Sequence, residues 1–320
     1  MGIKIFCIES NKRYEITSMV KDSISWGKTI DEFAQKLSFD MYAYKLEGMQ
    51  INPVKLGSII EIQSEKVEFS GIVISNDESK GSISYSAVDF TFYFTQNEEI
   101  YQFQKVKANN CIESIILSMD APIGVVDKID VEIDKIYFNS SSGGVIKDII
   151  TIIEAKKGIK FHFYFRGGKF HFRRETDSIS TFEVDFFNKK YDATNLSKNM
   201  SISRSIENLK NSIKVVVKNN ETEYKSIESK DQKNIDKYGL LQKVEIIEAD
   251  NPNDSKSIAD NLLKKRNLIE EKVKIVIPWV DNLYDGDNIV IKNSLIDGLY
   301  TIKSFTKNIN SISLELMPYG

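Results

Sequence analysis

The chain has 320 residues, with 43 Lys plus Arg against 46 Asp plus Glu and a formal net charge of -3. Hydrophobic residues make up 41% and charged residues 28%, which allows a packed core and excludes wholesale disorder. Near-balanced charge, with only six arginines among the cations, argues against a chain whose main affinity is for nucleic-acid phosphates or anionic lipid.

At roughly 100–200 residues per domain, the length implies two or three domains. GIKIFCIE and RYEIT read as a hairpin around Ser10 and Asn11. WGKTIDEFAQKLSFD is predicted to be a helix, with Thr29 and Glu32 as a capping box and Ile30, Phe33, Ala34 and Leu37 on one apolar face. Leu56 to Gln63, Val67 to Ser75 and Ser82 to Phe90 alternate at period two, as strands of a small barrel or sandwich do. In the middle, Asn110 caps a predicted helix with Ile112, Ile115, Ile116 and Met119 in a stripe. Asn139 to Gly144 (NSSSGG) reads as a linker, followed by a helix with Val145, Ile149, Ile152 and Ile153 inward and Gly158 as its stop. FHFYFRGGKFHFRRE then predicts an aromatic hairpin turning at Gly167 and Gly168.

From about Asn195 the chain is strand-rich again, with a second hairpin turn at Asn219 and Asn220. A helix capped by Asp254 or Ser255 is predicted to bury Ile258, Leu262 and Ile269, and VKIVIPW, DNIVIK, GLYTIKSFT and SISLELM follow as strands. The reading is α+β, mainly β: two β-rich lobes, each with one amphipathic helix, flank a smaller α+β unit. The expected boundaries are 1–106, 107–193 and 194–320, with strands after 195 able to complete the first lobe. No residue-level repeat is visible, but the element order of the lobes is similar.

The search for chemistry is negative. His162 and His171, the two histidines, lie on the two arms of the aromatic hairpin without metal-ligand spacing, and are expected to be cross-strand packing partners. Cys7 and Cys111 lie in apolar patterns as small core residues. No nucleophile elbow, Walker loop or dinucleotide fingerprint is present. Tyr284 to Asp287 (YDGD), with Asp281, lacks the ligand spacing of a calcium loop and reads as a turn. The Lys156-Lys157, Lys189-Lys190 and Lys264-Lys265 pairs read as solvated surface. No cofactor or metal is expected. The N-terminus lacks the apolar run of a signal peptide and no stretch approaches the ~20 apolar residues that span a bilayer, so synthesis in a cytoplasm without membrane insertion is expected.

Several stretches in order resemble the baseplate hub proteins of contractile phage tails and phage-tail-like particles, of the defective-prophage and diffocin type, related more distantly to the T4 tail hub and late control protein D. They are SISWGKTIDEFAQKLSFD; LGSIIEIQ with VEFSGIVIS; ISYSAVDFTFYFTQNEEIYQF; GGKFHF; NLSKNMSISRSIENLKNSIKVV with DKYGLLQKVE; the helix from Ser255 to Glu271; and YDGDNIVI with GLYTIKSF and LELM. The resemblance implies a non-enzymatic homotrimer assembled into a tail or tail-like particle. In it, two tail-tube-like β-barrels per subunit form a pseudo-sixfold ring between a hexameric tube and a trimeric spike. Implied partners are the tube protein, the spike protein and other baseplate or LysM-containing adaptors, with no specific nucleic acid. Phe90, Phe92, Tyr93, Phe94, Leu314 and Leu316 are candidates for the contact between subunits. Two other readings stay open: a cell-wall-acting or carbohydrate-binding tail component, and a nucleic-acid-handling barrel.

Overall fold

A computed structural model describes residues 3–42, 45–46, 49–50, 52–175, 179–185, 200–218, 224–247, 254–281, 283–292 and 296–319. Period-two alternation makes the first hairpin, β1 (Lys4–Glu9) and β2 (Lys12–Glu15), turning at Ser10 and Asn11 with φ of 50° and 61°. The helix predicted around Ile30 to Leu37 is instead a strand, a turn and a strand, β3 (Ser25–Thr29) and β4 (Lys36–Tyr42). Two periods overlap in this segment, and tertiary pairing overrides the local helical one. Trp26 on β3 and Leu37, Phe39 and Met41 on β4 alternate inward and are all almost fully buried in the first-lobe core. Phe33 leaves that core to meet Phe163 edge-on, ring centroids 5.6 Å apart, and Glu32 pairs with Lys36 at 3.0 Å rather than capping a helix. After the short ladder β5 (Lys45–Leu46) and β6 (Met49–Gln50), β7 (Ile59–Gln63), β8 (Val67–Ser79) and β9 (Ser82–Asp89) run as an antiparallel meander.

In the middle unit, Phe92, Tyr93 and Phe94, candidates for the contact between subunits, lie in the short helix α1 (Phe92–Gln96), where Phe94 turns inward against Phe163 and Phe170. Then come β10 (Glu98–Lys107), α2 (Ala108–Ser118), β11 (Ile123–Val126), β12 (Glu132–Ser141), α3 (Ser142–Lys157), β13 (Phe161–Arg166) and β14 (Lys169–Arg174). Asn110 lies inside the first turn of α2 instead of capping it, while Ile112, Ile115 and Ile116 face inward as predicted. NSSSGG is no linker: it ends β12 and starts α3, with the Ser141 hydroxyl accepting the Gly144 N–H as an N-cap. Gly167 and Gly168 turn the aromatic hairpin at φ of 58° and 76°, which residues with a Cβ resist. Phe161, Phe163, Phe170 and Phe172 fill this unit's core, together with Tyr101 and Phe103 of β10.

The last part comprises β15 (Ile179–Asp185), β16 (Ser201–Ser205), β17 (Ser212–Lys218), β18 (Tyr224–Lys230), α4 (Gln232–Tyr238), β19 (Gln242–Ile247), α5 (Asp254–Arg266), β20 (Glu270–Pro278), β21 (Asn288–Lys292), β22 (Gly298–Lys307) and β23 (Ser311–Pro318). The turn at Asn219 and Asn220 and the Lys189-Lys190 pair lie outside the described residues. Helix α5 does not serve the last lobe. Its Ile258 and Ala259 pack on Ile213 and Val215 of the separate β18-β17-β19 sheet, and its Asn261 donates to the Ala155 carbonyl of α3 at 3.0 Å. The helix stops at Arg266, which leaves Ile269 47% exposed rather than buried.

The two β-rich lobes are parts of one sheet, ordered β16-β20-β23-β22-β3-β4-β9-β8-β7-β1-β2, with β15 and β21 attached beside β22. Within it the strand order is duplicated. The run β3-β4-β9-β8-β7-β1 in the first lobe matches β16-β20-β23-β22-β21-β15 in the last, member for member in chain order; only the final pair differs, antiparallel for β7-β1 and parallel for β21-β15. The register Trp26–Leu37–Ala87–Val73 corresponds to Ile202–Val273–Leu316–Ile302, and a bulge follows at the same place in both, before Ser75 and before Ser304. The similar element order expected of the lobes is thus a duplicated strand order, in which SWGKTIDEF (25–33) lies over SISRSIENL (201–209) with only Ser25/Ser201 and Ile30/Ile206 identical.

The lobes meet where β22 pairs with β3, Thr306 opposite Gly27 and Lys307 opposite Trp26. The strands cross so closely that a Cβ on Gly27 would stand 2.2 Å from the Phe305 carbonyl oxygen. Gly27→Ala is therefore expected to cost about 1–3 kcal/mol through forced strand separation, read as a lowered calorimetric unfolding midpoint. A midpoint equal to that of the unaltered chain would contradict this account of the seam.

Candidate functional site: a buried charged junction between the lobes

Strand alternation places an aromatic residue and a lysine two positions apart on the inward side of each seam strand: Trp26 and Lys28 on β3, Phe305 and Lys307 on β22. Lys307 Nζ meets Glu68 Oε2 of β8 at 2.6 Å, with both side chains fully buried. The ammonium also lies 4.6 Å from the Tyr284 ring centroid, 5.2 Å from Trp279 and 5.6 Å from Phe305. Burial pushes the Lys307 pKa down, and Glu68 opposes that shift. Lys28 Nζ meets Asp285 Oδ2 at 3.0 Å, the two side chains only 6% and 9% exposed. The YDGD segment is thus a turn, as expected, with Gly286 at φ of 83° and Asp287 Oδ2 accepting the Tyr284 N–H at 2.8 Å.

The aromatic hairpin closes the junction. The Arg166 guanidinium lies over the Tyr284 ring at 3.6 Å and near Tyr164 at 4.9 Å. A cavity of about 50 Å³ between Lys28, Gln35, Glu68, Asp89, Tyr164 and Arg166 has room for water only. Asp89 at its edge is fully buried. It accepts the Gln35 and Thr91 N–H groups at 3.0 Å each, and the Thr91 hydroxyl. Burial outweighs these donors and pushes its pKa up to about 6.

The fold thus gathers four carboxylates that spacing could not single out, Glu68, Asp89, Asp285 and Asp287. Each is engaged by a lysine or by N–H and O–H donors of the same chain. Such an arrangement holds elements together, and none of the four faces an open cleft beside a second free carboxylate, as glycoside hydrolysis requires. Sequence reasoning passed over Lys28, Glu68, Asp89 and Lys307. The available signal was a lysine at an inward-facing strand position two residues after an aromatic one.

The expected site residues fall elsewhere. Of the six interface candidates, Phe94, Leu314 and Leu316 are core side chains, Phe90 and Phe92 are half-buried, and Tyr93 is 38% exposed. Tyr93 stacks on Phe90 at 6.4 Å, and Phe90 meets Phe165 edge-on at 5.1 Å. His162 and His171 do not face each other: His171 lies opposite Tyr164, 5.2 Å between ring centroids, and His162 lies opposite Arg173. His171 Nδ1 accepts the Val125 N–H at 3.0 Å. The His162 ring packs beside Gly286, and burial lowers its pKa against the pull of Glu175 and Asp285. Lys156, Lys157, Lys264 and Lys265 occupy the last turns of α3 and α5, where Lys265 pairs with Glu154 at 2.5 Å. Cys7 and Cys111 are buried and unpaired as disulfides.

The YQBQ-like family profile matches residues 24–317, both lobes and everything between them. The chain belongs to the YQBQ-like family. No curated protein matches it in sequence. Among solved structures, the tail protein of Neisseria meningitidis MC58 is similar over 100% of this chain and 98% of its own (TM-score 0.75, 12% identity). The 43 kDa tail protein of prophage MuSo2 from Shewanella oneidensis is similar over 98% of each chain (TM-score 0.70, 10% identity). The E. coli c3393 protein is similar over 99% of this chain and 74% of its own (TM-score 0.52, 8% identity). It is a type VI secretion system component with structural similarity to the T4 tail proteins gp27 and gp5. At these identities the likeness establishes a shared fold. The mainly β, α+β architecture of this YQBQ-like chain is thus one found in phage tail proteins.

Two outcomes test the junction. Removing one member of a buried pair strands the other charge, so Lys307→Met or Glu68→Gln alone should each cost about 3–5 kcal/mol. The Lys307→Met, Glu68→Leu double variant should regain more than half of that in calorimetry; additive losses would contradict the pairing. Asp89 gives the pH dependence. Its folded pKa of about 6 lies above the ordinary 3.8, so between those values the folded state holds more protons than the unfolded one and stability rises as pH falls. Asp89→Asn cannot titrate and turns an amide NH₂ toward an N–H donor. Its deficit should therefore be present at pH 7 and widen by up to about 3 kcal/mol on going to pH 4; a deficit constant with pH would contradict burial of the ionised carboxylate.

Proposed function

We propose that the chain is a structural, non-enzymatic hub subunit of a contractile phage tail or phage-tail-like particle. Three copies close into a ring of six similar lobes, which meets a hexameric tube on one side and a trimeric spike on the other. The observation that carries this reading is the duplication: two lobes with the same strand order, register and bulge, joined by a strand seam inside one chain. A threefold assembly of such chains repeats a nearly equivalent unit six times, the symmetry match that an adaptor between six and three requires. The family membership and the tail-protein fold support it. The buried junction serves it by fixing the angle between lobes, since a ring closes only if every lobe-to-lobe rotation is the same.

Tube, spike and LysM-containing adaptor proteins are the partners of this assembly, and the particle is where the chain resides. A carbohydrate-binding role would need exposed aromatic residues or a cleft of converging carboxylates, but Phe161, Phe163, Phe170 and Phe172 are core residues. Native mass spectrometry of the full chain, alone and with its tube and spike proteins, is the test. Three copies in either sample is the expected result; a single copy bound to tube and spike would overturn the ring.

A further inference from the structure

The duplication assigns more than symmetry: it names the two strand edges that meet between copies. Within the chain, the post-bulge end of β22, Ser304 to Lys307, pairs with β3. The equivalent end of β8 is Ser75 to Glu78, and the equivalent of β3 is β16. Both are open. Pairing of β8 with β7 stops at Ile72, and residues 74–79 are all exposed. Among the described residues β16 has one strand partner, β20, and ends the main sheet.

We propose that β16 of one copy docks antiparallel on Ile74–Ser79 of β8 in a second copy of this chain, repeating between copies the β3–β22 seam found within each. This surface rests on the ring reading above and specifies its contact. Mapping the register Ser304–Thr29, Phe305–Lys28, Thr306–Gly27 and Lys307–Trp26 onto the open edges pairs Ser75 with Ser205, Asn76 with Arg204, Asp77 with Ser203 and Glu78 with Ile202.

Three features of the edges fit this partner. First, Ile30 N donates to the Lys303 carbonyl at 2.8 Å beside the internal seam. The corresponding residues at the open edges are Ile206 and Ile74, each 41% exposed, so the docking would cover two apolar side chains left in solvent. Second, the charges are complementary. Asp77 and Glu78 lie on the β8 edge, and Arg204 of β16, which pairs with Glu271 of its own chain at 2.5 Å, would enter opposite Asn76 with Glu78 two positions along the same face. Third, an exposed, regular strand edge is ordinarily blunted in a monomer; neither edge carries a proline, and among the described residues no strand covers either. The copies differ in one respect. Ser203 stands where Gly27 allows the closest approach, so the seam between copies is wider than the internal one by the room of a Cβ.

The contact is head-to-tail, because the β8 edge and the β16 edge are different surfaces of one chain, so copies add in one rotational sense until a ring closes. Directly opposed residues of an antiparallel pair have Cα atoms about 4.5–5.5 Å apart, within disulfide reach. The test is the full chain carrying Ser75→Cys and Ser205→Cys, oxidised at high concentration and examined by non-reducing gel, peptide mapping and native mass spectrometry. The expected result is loss of most of the 36.6 kDa band to a cyclic three-chain species linked through the introduced thiols, with no such loss for either single variant. A three-chain assembly without that linkage would overturn this edge and leave the ring. Linkage that runs on into open chains would keep the edge and overturn the ring. Unlinked monomers, with a thermal midpoint equal to that of the parent chain, would overturn the proposal itself.

Discussion

The close antiparallel pairing of β22 with β3 is the constraint on which the arrangement of lobes depends. Backbone pairing alone would let the lobes hinge. What fixes them is the set of buried side chains carried by the same two strands: Lys307 on Glu68, Lys28 on Asp285, and Trp26 against Trp279 with ring centroids 5.5 Å apart. Each of these spans the first and last lobes. A buried ion pair adds little net stability over an apolar replacement, because desolvation offsets most of the attraction. Its contribution here is geometric: an ammonium in an aromatic cage accepts one carboxylate position, so one lobe-to-lobe angle satisfies it. Hydrophobic contact alone would tolerate a range of angles.

That single angle matters because the lobes are versions of one another. In the proposed ring, where the seam between chains is a version of the seam within each, the rotation built into one chain sets the rotation of the whole. The middle unit enters this geometry through its aromatic hairpin. Arg166 over Tyr284 and Phe33 against Phe163 tie that unit to the last and first lobes respectively. The α5 sheet unit is attached to α3, where Asn261 donates to the Ala155 carbonyl.

The sequence displays the strands, the α2 and α3 helices, the Gly167-Gly168 turn and the mainly β class, because these follow from local periodicity and turn chemistry. Segments where two periods coexist mislead. In WGKTIDEFAQKLSFD the i, i+3, i+4, i+7 pattern of Ile30, Phe33, Ala34 and Leu37 is real, yet Phe33 and Leu37 serve different cores while Ile30 and Ala34 stay half-buried. Only the three-dimensional partners of Leu37 and Phe33 reveal that. In FTFYF, Phe94 is claimed by the hairpin core, and the chain turns into α1 to deliver it. The junction stays hidden because its members, at positions 28, 68, 89, 285 and 307, are joined only by the pairing order of strands. The repeat stays hidden because lobe-specific cores have replaced Trp26 by Ile202 and Phe33 by Leu209. What persists is the shared backbone path, and with it Ile30 and Ile206.

The most direct measurement of the central claim is electron cryomicroscopy of the assembled chain, with class averages viewed down the symmetry axis. The account predicts a hollow ring of six similar lobes about a threefold axis, with alternating contacts of nearly equal rotation, one internal to each chain and one between chains. A ring in which the two kinds of contact differ in rotation, or an assembly with the lobes stacked along the axis, would contradict it.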